Sequence, residues 1–365
     1  MAKRYTSIPV PVPHLTGVTM GEIRVAVAGT GNLCSSLVQG THFYTKTKEP
    51  LGLLHPELGG YKPSDVKYVA AFDISDVKVG KDLSEAIFAK PNNAPKLVDV
   101  PKLGVTVKMG HAPDLVEEGT LSSIKRSNAE NVDIAAELKK ANTEIFINMV
   151  SGGSDKASAL YAKASIDAGC AYLNATPSNV AGDIALVKKF IAAKLPLAGD
   201  DLLDQVGATA IHIGILEFLH SRGAHIDESY QLDVGGGAES ISTLEKTKDT
   251  KRSIKTAAVT GHVPYKFPLV SGSTDFVDFL GNGRDSFFWV KGRYFGGVPF
   301  TMDLKLSSED APNGGSILLD AVRGMKVAKD KGEKGLVFPI CSYAFKRAER
   351  TSLTKAYEAF RELTG

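Results

Sequence analysis

The stretch RVAVAGTGNLCSSLVQG, Arg24 to Gly40, decides the fold. Val25 to Ala28 are apolar without polar alternation, the pattern of a strand buried on both faces in a parallel sheet. Gly29 and Gly31 follow, and the residues after them read as the start of a helix. Such a turn bares the backbone at the positive end of a helix dipole, where amides can face a pyrophosphate. Cys34 stands where the third glycine of GxGxxG would fall, so the match is partial. A small side chain there still lets the helix pack on its strand, and Cys34 reads as packing rather than as a nucleophile.

Outward from this turn, strand and helix patterns alternate. VKYVAAFDIS reads as a second strand ending in Asp73, an acid placed where dinucleotide folds hold the adenine ribose, although further from the glycines than the usual spacing of about 20 residues. A solvated strand-end aspartate is the plain alternative. Three more pairs follow: EIFINMV before SGGSDKASALYAKASIDAG, AYLNATP before SNVAGDIALVKKFIAAK, and LPLAGDD before QVGATAIHIGILEFLHSRG. Alternation of this kind predicts an α/β doubly wound parallel sheet. From about Ser229 the texture changes to YQLDVGGGAES, a charged segment, and the strands DSFFWVKGRYFG and VPFTMDLKLSS, which predicts a second, mainly sheet domain. The amphipathic GGSILLDAVRGMKVAKDKG is helical again and returns the chain to the first domain.

Composition narrows the function classes. With 365 residues, two domains are expected, and 43% hydrophobic residues suffice for a sizeable core. Lys plus Arg number 43 against 41 Asp plus Glu, with no basic block, so nucleic acid is not expected as a partner. Cys34, Cys170 and Cys341 are far apart and without a CxxC, which points to a reducing, cytoplasmic setting. The opening MAKRYTSIPVPVPHLTG has prolines where a signal peptide needs an apolar helix and reads as a loose arm, and no membrane span is expected. No HxxxH pair suggests a metal site, and no GxSxG elbow suggests a serine nucleophile.

Cations gather in the later part: Lys251 and Lys255 in TKRSIKT, Arg284, Lys305, and Lys346 in SYAFK. Lysines four apart on a helix share a face, so two ammonium groups could address one anion and lower each other's pKa. A solvated face is the plain alternative. Asp200 and Asp201 follow the strand LPLAG directly, at the strand end where open α/β sheets bind ligands. Asp310 in SSEDAPNGG is either a site residue or a turn residue.

Together these segments, with GDDLLDQVGAT, DAPNGGSILLDAVRGMKVAKDKG and PICSYAFK, resemble the shorter prokaryotic type of inositol-3-phosphate synthase (myo-inositol-1-phosphate synthase) over about residues 23–346. The resemblance implies a Rossmann-type NAD domain from residues 1–228 and 314–365, an inserted α+β catalytic and oligomerisation sheet domain at 229–313, and a homotetramer. The implied reaction is carbocyclisation of a hexose 6-phosphate. C5 of glucose 6-phosphate is oxidised by NAD, a C6 proton leaves, the enolate attacks C1, and the ring ketone is reduced again. By the same resemblance Lys251 and Lys255 bind phosphate and assist proton transfer at C5, Lys346 polarises the attacked carbonyl, and Asp200 and Asp310 match the family's aspartates. The implied NAD contacts are Gly29, Thr30, Gly31, Asn32, Leu33, Cys34 and Ser35 of the turn, with Asp73, Ser151, Asn174, Asp200 and Asp310.

Several positions depart from the family pattern. A catalytic lysine becomes Arg284, which can hold an oxyanion but does not release its proton. The usual Lys-Ser after the aspartates becomes Leu203-Asp204, and Gly237, Glu239 and Ser242 replace family Asn, Asp and Asn. These changes keep a rival in view, since relatives close a five-membered ring from fructose 6-phosphate. Two further readings are a simple NAD-dependent dehydrogenase of a phosphorylated polyol and a non-catalytic NAD-binding protein, the latter disfavoured by the three lysines.

Overall fold

Seven parallel strands form the larger sheet, in the order β3-β2-β1-β4-β5-β6-β11. The computed structural model describes residues 21–47, 49–114, 124–347 and 351–365; the expected amino-terminal arm lies outside them. The strands are β1 (Ile23–Ala28), β2 (Val66–Asp73), β3 (Val107–Met109), β4 (Ile145–Asn148), β5 (Ala171–Asn174), β6 (Pro196–Ala198) and, late in the chain, β11 (Gly335–Leu336). Helices α1 (Asn32–Lys46), α2 (Leu83–Ala86), α3 (Ile134–Lys140), α4 (Asp155–Ala168) and α5 (Ile184–Ala192) lie between them. This is the doubly wound dinucleotide order with one added edge strand, and its switch point falls between β1 and β4. β4 and β5 are buried along their whole length, as strands covered on both faces must be.

Helix α6 (Ala208–Ser221) leads into a second sheet of order β10-β9-β7-β8. Its strands are β7 (His225–Gly235), β8 (Leu269–Phe276), β9 (Gly283–Arg293) and β10 (Pro299–Glu309). β7 runs parallel to β8 and antiparallel to β9, which pairs antiparallel with β10. The parallel pair needs a crossover, supplied by α7 (Ala238–Ser242), a π-helical turn at Thr243–Thr247 and α8 (Lys248–Thr260). The lysine-bearing segment is thus the crossover helix of a βαβ unit.

Helix α9 (Asp310–Asp330) carries the chain back to the large sheet, followed by α10 (Phe338–Ala344) and α11 (Leu353–Thr364). α9 crosses α1 closely because Gly314 and Gly315 sit at the crossing. A Cβ on Gly315 would lie 2.9 Å from Ser36 Cβ, and one on Gly314 would lie 2.8 Å from Leu33 Cδ1. The crossing sets the amino end of α9, with Asp310, beside the glycine turn. No helix among the described residues is long and apolar enough to cross a membrane.

Candidate active site

A cavity of about 620 Å³ opens at the switch point of the large sheet and is closed from above by the second sheet and α8. That volume is in the range of small-molecule sites. Gly31, Ser151, Asp201, Lys251, Arg284 and Lys346 all face it, so residues far apart in sequence share one space.

At one end is the glycine turn. Gly29 has φ +87°, and a Cβ there would sit 2.6 Å from the Met149 carbonyl oxygen, so only glycine fits. A Cβ on Gly31 would meet nothing within 4 Å, because Gly31 faces the cavity. Helix α1 starts here with no side-chain cap and no acid in its first turn. An uncapped positive helix end beside open space fits a pyrophosphate, and the turn can therefore hold NAD. The turn is braced from behind. Asp73 accepts from the Thr30 amide at 2.7 Å, the Thr30 hydroxyl at 2.6 Å, and the amides of Ile74 and Ser75 at 2.8 and 3.0 Å. These four donors fill a carboxylate's acceptor positions, so a ribose hydroxyl reaching Asp73 would share an oxygen already in use. Lys78 and Asn92 both donate to the Thr30 carbonyl, at 2.9 and 2.8 Å.

At the other end the cations meet carboxylates. Lys251 donates to Asp201 at 3.1 Å, and Lys346 donates to the same oxygen at 3.3 Å and to the Leu202 carbonyl at 2.6 Å. Burial would raise the Asp201 carboxyl, but the two ammonium groups pull it below the usual carboxylate range. Burial lowers Lys346, and Asp201 and Asp204 more than reverse this, so it ends raised. Lys255 is paired with Asp233 at 2.5 Å, yet burial, assisted by Arg284 and Lys346, leaves it below the usual lysine value. Arg284 donates to Asp310 at 2.7 Å, and its Nε is buried with no partner among the described residues. Withdrawal from water pushes the Asp204 carboxyl up to about 6; Lys346 opposes this and Asp310 adds to it.

The cavity wall therefore includes Gly29, Gly31, Asn32, Leu33, Asp73, Ser151, Lys251, Lys255, Arg284, Asp310 and Lys346. Thr30, Cys34, Ser35, Asn174 and Asp200 stand behind that wall, all buried. Cys34 faces the core on α1, and burial pushes its thiol up to about 12, which suits packing. Asp200 accepts from the amides of Val180, Ala181 and Gly182 and from Asn174, so it organises the loop before α5. The neighbouring Asp201, at φ +59°, turns its carboxylate the other way, into the cation cluster. Glu239 also borders the cavity, while the side chain of Ser242 lies outside the described ones. Lys305 is remote, paired with Asp285 on the outer face of the second sheet. Sequence reasoning passed over Asp233, Lys78 and Asn92. Only Asp233 left a trace, as a charged residue inside an otherwise strand-like run just before three glycines.

Fold and cavity together define a Rossmann-type α/β protein whose second sheet closes over the carboxyl ends of its parallel strands. The profile of the myo-inositol-1-phosphate synthase family matches residues 207–311. Inositol-3-phosphate synthase of Mycobacterium tuberculosis is 40% identical over 332 residues, covering 89% of this chain and 90% of that protein. Among solved structures, Ari2 is 30% identical with a TM-score of 0.76, covering 94% of this chain and 98% of its own. A myo-inositol-1-phosphate synthase-related protein from Thermotoga maritima, 20% identical with a TM-score of 0.77 and covering 93% and 98%, shares the fold. The chain belongs to the inositol-3-phosphate synthase family and is an enzyme of the isomerase (intramolecular lyase) class.

Proposed function

We propose that the enzyme is an NAD-dependent cyclase converting D-glucose 6-phosphate to 1D-myo-inositol 3-phosphate. The observation that carries this reading is the convergence of Lys251, Lys255, Arg284 and Lys346 on the cavity that also holds the glycine turn. A plain dehydrogenase has little use for four cations, whereas a cyclase must hold a phosphate dianion and oxyanions at two carbons. NAD, bound with its pyrophosphate at Gly31, supplies a reversible hydride acceptor. Lys251 and Lys255, one helical turn apart, hold the phosphate and assist proton movement at the C5 oxygen. Lys346, kept charged by Asp201, polarises the carbonyl under attack. Arg284 fixes a positive charge but releases no proton. Asp204, with a carboxyl titrating near 6, is the group in this cluster able to carry that proton instead.

A five-membered ring from fructose 6-phosphate is the second reading, favoured by the arginine at position 284 and its Asp310 partner. Incubation with NAD and each sugar phosphate, followed by 31P and 1H NMR of the product, separates the two. A net rise in NADH absorbance would instead identify a simple dehydrogenase. The proposed assembly is a homotetramer joined through the second sheet, in the cytoplasm, where three free buried cysteines stay reduced.

A further inference from the structure

The inner face of β7 changes character along its length. Ile226 packs in an apolar cluster with Ile213, Leu216 and Val290, but the next inward positions are Ser229, Gln231 and Asp233, none more than 5% exposed. His212 on α6 faces them, fully buried. Such a row costs stability unless every member is satisfied. Here it is joined end to end and finishes at the cavity. Gln231 donates to both Asp233 oxygens at 3.0 Å, so its own oxygen faces His212 Nδ1, 3.2 Å away. That nitrogen must carry the hydrogen. Burial pushes His212 down to about 4, so the ring is neutral and its Nε2 is bare. Ser229 Oγ donates to the Trp289 carbonyl at 2.8 Å and lies 2.8 Å from Nε2 as well. His212 Nδ1–H and the Gln231 amide thus both donate in the direction of Asp233 and leave it an acceptor. Asp233 accepts in turn from the Lys255 ammonium, at 2.5 Å, and from Ser286.

We propose that Asp233 is a positioning residue for catalysis: held by Gln231 and His212, it fixes the Lys255 ammonium at the cavity wall and keeps it charged. The inference rests on the cyclase reading for the work Lys255 does there, but not for the pairing itself. Lys255 faces Asp233 from β7, Arg284 from β9, Lys346 after α10, Lys251 on its own helix and Asp201 from the turn after β6. Three of these five are cations, and Asp201 is already shared by two of them. Asp233 is the carboxylate that offsets the crowding at Lys255. Without it, burial and like charge drive the lysine toward the neutral amine.

The test measures the lysine directly. Competitive acetic anhydride labelling from pH 6 to 11, read at the Lys255 peptide by mass spectrometry, gives its titration midpoint without turnover. Asp233→Asn is expected to lower that midpoint by at least one unit, and Asp233→Glu to restore it. In parallel, kcat for product formed from sugar phosphate should fall at least tenfold in Asp233→Asn, with KM changed less than threefold. An unchanged midpoint in a folded Asp233→Asn variant overturns the proposal. Should that variant not fold, Gln231→Met removes the two supporting donors and keeps the charge. It should hold the midpoint and lower kcat severalfold, and an unchanged kcat overturns the positioning role. If the wild type forms no cyclic product from either sugar, the cyclase reading falls while the labelling midpoint still decides the role of Asp233.

Discussion

Gly29 and Gly31 are two residues apart and do different work. Replacing Gly29 by alanine forces a side chain to φ +87° and against the Met149 backbone, so the fold itself should lose about 1 kcal/mol or more, seen as a lower Tm. Leucine at Gly31 has open space and should leave Tm within about 2 °C while abolishing NAD binding by calorimetry. Retained NAD affinity in Gly31→Leu would remove the turn from the binding site. Arg284 carries the second prediction. Arg284→Met should lower turnover by about 100-fold or more, the scale of one lost oxyanion donor. Arg284→Lys tests substrate choice, because activity gained on glucose 6-phosphate and lost on fructose 6-phosphate would make this position the selector of the attacked carbonyl. At this scale the sequence was legible wherever backbone chemistry decides, as at the glycine turn. It was not legible at Asp200 and Asp201, where a single positive φ sends adjacent carboxylates in opposite directions, one into a loop and one into the cation cluster.

The turn after β6 sets Leu202 and Asp204 beside Gly314 near the start of α9, and its electrostatics make a pH prediction. Asp204 titrates near 6 in the folded protein against the ordinary value of 3.8. Between those values the native state holds a proton that the unfolded chain has lost, so stability falls as pH rises through this window. Asp204→Asn removes the effect. The variant should match the wild type near pH 3.5 and be more stable above pH 6.5, by roughly 1 kcal/mol, discounted because Asp204 is partly exposed at the cavity. Equal Tm values across the range would show that the carboxyl is not perturbed. The elements around this turn were largely readable from pattern: alternating strands and helices, and lysines four apart on one face of α8. What pattern could not supply is the crossing of α9 over α1, which brings Asp310 to Arg284 and depends on two glycines meeting Ser36 and Leu33. Close contact between distant segments leaves no periodicity to read.

At the scale of the molecule, the four-stranded sheet covers its inner face with α6 and α8 and, among the described residues, leaves its outer face open. Strand alternation puts Tyr230, Leu232, Val270, Phe287 and Trp289 together on that outer face, with Tyr230 stacked on Trp289 at 5.6 Å between ring centres. Tyr230, Leu232, Val270 and Phe287 are each 37–39% exposed. Asp303 and Lys305 of β10 border them, Lys305 lying over the Phe287 ring. Two copies meeting face to face would bury this apolar patch in both, which makes it the contact expected of the proposed homotetramer. The sheet texture was visible in the sequence, but which side of it stays bare was not, because that depends on where the crossover helix packs. Leu232→Asp places an unpaired carboxylate in the middle of the patch without touching the cavity side of β7. Size-exclusion chromatography with light scattering should show the wild type as a homotetramer and Leu232→Asp as a smaller species with an unchanged circular dichroism spectrum. A wild type that runs as a 38.8 kDa monomer, or a Leu232→Asp variant that keeps the wild-type mass, would mean that this face is not the subunit contact.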